Sequence, residues 1–247
     1  MANLPSQADA LREFLELFQL LKAAAPDSPL LKRRGTVSGV VCFTSDSGFV
    51  GDLNSRLMRE VLAHLPAAQR ALFVVGAQGK KILREEEVAH ESFPGIQNPK
   101  SYKEFSILQE VLLNWTFAPQ NGSLTLVYPE YHSPTRQDLV QMRLFPFEEQ
   151  GSSLSSRLTR DVMLEASLRQ IEEKAASGWI RMHLKQAIWH VRLCELAARA
   201  NHLEGSVEEL SKQNRGLTLR YFRTLHEEMD TAVREVYASR QVLVGGP

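Results

Sequence analysis

Between Leu158 and Val242 the chain contains no proline, and apolar residues recur there at three- and four-residue spacing among Glu, Arg, Lys, Leu and Ala. Proline removes a helix donor and clashes with the preceding turn, so its absence over this length predicts one long helical region. Gly178 is the expected point of interruption. Within the region Leu196, Ala200, Leu203, Val207, Leu210, Asn214, Leu217 and Tyr221 alternate steps of four and three, which is the seam of a coiled coil. Beyond Tyr221 the apolar positions Leu225, Met229, Val233 and Val236 open with consecutive steps of four, a phase shift of the stutter type. A core helix of a globular bundle would share this period but is usually much shorter, so a coiled-coil shaft over 155–247 is the expectation.

The first half has a different pattern. "QADALREFLELFQLLKAAAP" places Leu11, Phe14, Leu15, Phe18 and Leu21 on one face, a short amphipathic helix within 1–26 that Pro26 halts. Such a helix needs a surface to lie against. Pro29 and Gly35 break the pattern, and "VSGVVCFTS" reads as a buried strand. The stripe Leu53, Leu57, Met58, Val61, Leu62 and Leu65 is helical, and "ALFVVG" is a second buried strand, so the three together form a βαβ unit. "GKKILREEE" and "SYKEFSILQEVLLNWTF" read as helices and "SLTLVYPEY" as a strand. The expectation over 36–148 is an α/β domain, a parallel sheet with helices on its faces. "YHSPTRQDLVQMRLFPF", with Pro134 in a turn, reads as the joint that returns the chain to the helical region.

Composition excludes several functions. The 29 basic and 29 acidic residues cancel, so no global field would hold nucleic acid or an anionic membrane. Cys42 and Cys194 show no CxxC and no neighbouring histidine array, which predicts buried thiols in a reducing compartment. No stretch approaches the length needed to span a bilayer, and the N-terminus lacks a signal-type apolar core, so a cytoplasmic location without direct membrane insertion is expected. The seven histidines form no HExxH and no recognisable catalytic motif.

The stretch "FTSDSGFVGDLNS", residues 43–55, follows the first strand. It is not a P-loop, because no Gly-Lys-Ser/Thr closes it, and it lacks the second half of a dinucleotide fingerprint. Asp46 and Asp52 lack the dense acidic spacing of a hard-cation loop. The residue types suit a mechanical role, with Gly48 and Gly51 where the chain turns and Asp52 or Asn54 capping the following helix.

Taken together, several blocks resemble the gamma subunit of F-type ATP synthases. Phe43, Thr44, Ser45, Asp46, Gly48, Phe49, Gly51, Leu53, Asn54 and Ser55 match that family's strand-turn-helix signature, and "VVGAQGKK" is similar to its next strand and Gly-x-x-Gly turn. "LVYPEYHSPTRQDLVQMRLFPF" resembles a further family passage. "CELAARANHLEGSVEEL" resembles the family's C-terminal block, with Glu195, Ala197, Ala198, Arg199 and Leu203 in matching places; an ungapped continuation aligns Tyr221, Met229, Val233, Glu235 and Val236. The departures are a short helix before Pro26 where the family has a long one, Leu225 and His226 in place of an Arg-Gln pair, and Glu208 and Glu209 in place of an Asp-Asn pair.

The resemblance implies a Rossmann-like parallel sheet domain plus long coiled-coil helices, with the N-terminal coiled-coil helix largely absent. Either the chain starts downstream of that helix or it is a divergent form that has lost it. The resemblance further implies a non-catalytic rotor with no cofactor and no metal, a peripheral member of the complex on the cytoplasmic side of the inner membrane. Its partners would be the alpha and beta subunits, the epsilon subunit and the membrane c-ring, with no nucleic acid. The subunit interface would include Asp46, Gly48, Gly51, Asn54, Glu195, Arg199, Leu203, Met229, Val233 and Val236. Three alternatives stay open. They are a divergent gamma-like paralogue, a coiled-coil adaptor self-associating through 196–236, and a phosphate- or nucleotide-binding α/β enzyme using the loop from Gly48 to Gly51.

Overall fold

Successive side chains of a strand point to opposite faces, and the first strand divides its residues accordingly. In a computed structural model that describes residues 7–32, 35–48, 50–64, 70–95, 102–147 and 167–244, β1 (Val37–Phe43) sends Val41 and Phe43 into one core and Val40 and Cys42 into another. The next strand, β2 (Arg70–Val75), repeats the division with Phe73 and Val75 against Leu72 and Val74. A strand buried on both faces must read as a continuous apolar run, and both of these do.

The sheet has five strands in the order β3-β2-β1-β4-β5, with β3 at Glu91–Phe93, β4 at Asn121–Tyr131 and β5 at Gln137–Phe145. The pairings β1 with β2, β1 with β4 and β2 with β3 are parallel, as expected for strands joined through helices. The passage read as a joint is instead β5, an antiparallel edge strand in register with β4 from Leu124↔Phe145 to Tyr131↔Gln137. Pro134 does lie in the connecting bend, where the Arg136 amide donates to the Ser133 carbonyl at 3.2 Å. The period of β5 was ambiguous because Leu139, Met142 and Leu144 mix steps of three and two.

Two helices, α2 (Leu53–His64) and α3 (Ala77–Glu85), cover one face through Leu57, Met58, Val61 and Leu83. The other face carries α1 (Gln7–Ala24), α4 (Tyr102–Phe117) and the first part of α5 (Leu168–Val244). The surface that α1 needs is an aromatic cluster. Phe18 stacks on Phe147 at 4.3 Å, and both meet the Trp179 ring edge-on at 5.3 and 5.4 Å. The Trp179 indole N–H is satisfied by the Leu144 carbonyl at 3.3 Å, which allows a polar atom in this core.

Gly178 does not interrupt α5, which runs unbroken for 77 residues. Its hydrogen side chain serves packing instead, since a Cβ there would come within 2.6 Å of the Phe14 ring. The expected shaft residues 155–166 lie outside the described residues, as do Phe49 and Leu65.

The chain forms two compact units, 1–199 and 200–247. The first holds the sheet and its cores. In the second, the side chains of 201–238 are exposed apart from the partly covered Ser206. Among the described residues no helix is long and apolar enough to cross a membrane, and no group of three or more His, Cys, Asp or Glu is placed to hold a metal.

Candidate functional site

Where β1 ends, the signature stretch locks onto the turn after β2. The Thr44 amide donates to the Val75 carbonyl at 2.8 Å, and the Thr44 hydroxyl donates to the same oxygen at 2.9 Å while accepting from the Gly79 amide at 3.0 Å. Gly76 has φ 106, a conformation that side chains rarely adopt, and a Cβ on it would overlap the Thr44 carbonyl. A Cβ on Gly79 would lie 2.6 Å from the Thr44 hydroxyl oxygen. The two glycines of the Gly-x-x-Gly turn therefore exist to admit Thr44, and the two sequence motifs form one structural unit.

Asp46 takes the capping role, but on a different helix from the one expected. Its Oδ1 accepts from the Ala77 amide at the start of α3 at 3.0 Å and from the Gly95 amide at 3.1 Å. A helix N-terminus offers free amides and a positive dipole end, the place where a bound phosphate would sit; here a carboxylate already fills it. Asn54 is not the cap of α2. Its side-chain amide bridges back to Ser45, accepting from the Ser45 amide at 3.0 Å and donating to the Ser45 hydroxyl at 2.8 Å. Gly51 has φ +60, the left-handed turn the sequence called for, and a Cβ on Gly48 or Gly51 would meet nothing within 4 Å.

Ligands of doubly wound sheets bind beyond the carboxyl ends of the strands. In this chain that position is a crevice lined by Phe43, Thr44, Asp46, Val75 and Gly95 and closed by Ile188, Val191, Arg192 and Glu195 of α5. Its volume of about 20 Å³ admits about one water and not a nucleotide. Glu195 is buried, with Arg199 Nη2 at 3.1 Å and Arg192 Nη1 at 3.9 Å from its Oε2. Burial pushes its carboxyl above the usual range; Arg199 and Arg192 pull it back and Asp46 adds to the rise. Thus Asp46, Glu195 and Arg199 are brought together with Asn54 one residue pair away. Leu203, Met229, Val233 and Val236 belong to the second unit, exposed on their helix.

Two further residues of this locus, Gly95 and Arg192, escaped the sequence reading, and Thr44 entered it only as part of the matched signature. Arg192 had a signal, since a cation three residues before Glu195 shares its helix face. Gly95 had none, because its role comes from a contact across 49 residues of sequence with Asp46.

Other contacts fix α5 to the sheet. The Tyr131 amide donates to His190 Nδ1 at 3.2 Å, and the Cys194 thiol donates to the Pro129 carbonyl at 3.5 Å. Both cysteines are fully buried, and burial pushes both thiols up to about 12, so each packs as a small apolar group.

A family model described as "ATP synthase" matches residues 1–241. The ATP synthase gamma chain of Nitratidesulfovibrio vulgaris is 21% identical over 238 residues, covering 91% of this chain and 80% of its own. The fold resembles a chain in the Euglena gracilis mitochondrial ATP synthase OSCP/F1/c-ring structure, with TM-score 0.64, 15% identity and coverage of 96% and 87%. A second likeness is to a chain in the rotor of the same enzyme, with TM-score 0.59, 16% identity and coverage of 90% and 91%. The chain belongs to the ATP synthase gamma-chain family, whose members are non-catalytic subunits of ATP synthase.

Proposed function

We propose that this chain acts as the central-stalk rotor of an F-type ATP synthase, coupling ion-driven rotation to ATP synthesis while performing no chemistry itself. The observation that carries this reading is the exposed helix of the second unit. Leu203, Val207, Leu210, Leu217, Met229 and Val233 are each more than half exposed, on a helix whose other positions include Glu208, Glu209, Lys212, Arg215, Glu227 and Glu228. A shaft whose faces differ presents different contacts as it turns, and a ligand or subunit shifts an equilibrium only through such differential contacts. On this reading the shaft turns inside the ring of alpha and beta subunits. The α/β unit, with the epsilon subunit, sits on the membrane c-ring, and the protein is peripheral on the cytoplasmic side of the inner membrane. Asp46, Gly48, Gly51, Asn54, Glu195 and Arg199 would contribute to the foot's interfaces, and Leu203, Met229, Val233 and Val236 to those of the shaft.

Reconstitution tests it. The full chain is mixed with alpha and beta subunits from the same source, and complex formation is followed by size-exclusion chromatography and ATP hydrolysis. A stoichiometric, active complex is expected, and Leu210→Asp with Leu217→Asp should weaken it about tenfold or more, the effect of ~1.4 kcal/mol, while unit 1 stays folded. Self-association through 196–236 without any alpha/beta complex would instead favour the coiled-coil adaptor.

A further inference from the structure

β4 runs past the end of β1. The last pair between them is Cys42↔Val127, whereas β4 continues to Tyr131. Beyond that pair the tip of β4 keeps β5 on one side, from Tyr128↔Val140 to Tyr131↔Gln137, and among the described residues it has no strand on the other. Residues two apart in a strand turn their backbone groups to the same side, so Pro129 and Tyr131 face the place where β1 would continue, and backbone groups covered there need partners. α5 supplies them. The Cys194 thiol reaches the Pro129 carbonyl, and His190, one helical turn earlier on the same face, accepts the Tyr131 amide on Nδ1 at 3.2 Å. The Gln137 side-chain amide adds a bond to the Cys194 carbonyl at 3.4 Å.

A backbone amide can only donate, so His190 Nδ1 carries no proton and the neutral ring holds its proton on Nε2. That nitrogen faces Glu130 Oε1 at 4.0 Å. Glu130 Oε2 lies 3.5 Å from His132 Nε2, and His132 and Arg136 share Asp138 Oδ2 at 3.4 and 3.0 Å. The Tyr128 ring lies beside the imidazole at 6.0 Å. Cys194 stays a thiol, because burial pushes it up to about 12, and the His190 side chain, 23% exposed, is within reach of solvent protons. The imidazole is therefore the member of the pair that responds to pH.

We propose that His190 fastens α5 to the tip of β4 only while it is neutral. A second proton occupies Nδ1 and sets one N–H against another; the ring then releases the Tyr131 amide and turns its charge to Glu130. Acid thus exchanges a backbone hydrogen bond for a side-chain ion pair and loosens the strand tip from the helix. The fastener lies within unit 1, so it goes beyond the rotor reading and holds whether or not the chain turns inside a ring.

The test uses the full chain labelled with ¹⁵N. Above the pH at which the His190 ring titrates, its nitrogen shifts should report the tautomer with the proton on Nε2. Hydrogen exchange at the Tyr131 amide, corrected for intrinsic rates and read relative to the Val41 amide in the middle of the sheet to remove global opening, should speed up below that pH by up to about tenfold per pH unit. His190→Asn, whose side-chain oxygen can accept the same bond but does not titrate, should keep the Tyr131 amide slow throughout, and His190→Leu should leave it fast throughout. If either variant does not fold, the wild-type tautomer and exchange decide alone. The opposite tautomer, Tyr131 exchange that ignores the His190 titration, or a pH dependence that survives in His190→Asn would overturn the proposal.

Discussion

The two parts of α5 share one helical period and have opposite surroundings. In 168–199 the inward positions Ala176, Ile180, Leu184, Ala187 and Cys194 are fully buried, whereas in the second unit Leu203, Val207, Leu210 and Leu217 stand exposed at similar spacing. The difference lies in what the neighbouring residues permit. Gly178 and the small alanines of the first part let α1 and the sheet approach closely, while a Cβ added to Gly205 or Gly216 in the second would meet nothing within 4 Å. Periodicity identifies the apolar face of a helix; it does not say whether the chain itself covers that face. A continuous apolar row left exposed marks a surface for other chains.

Truncation of aromatic side chains probes the contrast with the largest effect. Trp179 is 4% exposed and contacts Phe14, Phe18 and Phe147, so Trp179→Ala should cost about 3–5 kcal/mol in urea unfolding of unit 1. Tyr221, 64% exposed, should change the stability of the isolated chain by about 0.5 kcal/mol or less when replaced by alanine. A large loss at Tyr221 would break the comparison, because it would mean the seam is covered in the free chain.

A smaller effect separates the two parts by pH. His183 is buried against Trp179 at 4.3 Å, and neither ring nitrogen has a hydrogen-bond partner among the described residues. Burial pushes its pKa down to about 4, with the nearby Gln186 side chain offsetting part of the effect. The unfolded chain therefore takes up this proton first. Stability is full above pH 6.5 and falls as pH drops toward 4, by about 3 kcal/mol in total. His183→Leu should flatten this acid limb in unfolding curves measured between pH 4 and 7. Glu195 has the opposite sign, because its raised value makes the folded state the better proton acceptor, so its contribution declines as pH rises.

Glycine replacements give the finest test. Gly178→Ala should destabilise by about 1–3 kcal/mol because Phe14 must move, whereas Gly205→Ala and Gly216→Ala should each stabilise the helix by about 0.5–1 kcal/mol. Thermal melts followed by circular dichroism would read both signs, and a gain at Gly178 would show that the α1 contact is looser than its geometry implies.

The sequence alone determined the elements whose signal is local. Continuous apolar runs declared β1 and β2, a three- and four-residue period declared α2, α4 and α5, and the matched blocks declared the family. Tertiary structure decided what depends on contacts distant in sequence. It made β5 an edge strand, because its partner β4 supplies the register that a mixed spacing leaves open. It turned Asn54 back to Ser45 and gave the cap of α3 to Asp46, since hydrogen-bonding side chains go to whichever amides the folded chain brings near. It also carried α5 through Gly178, because a glycine's helix penalty of ~1 kcal/mol is outweighed when Phe14 and the aromatic core pack into the space that the missing side chain leaves.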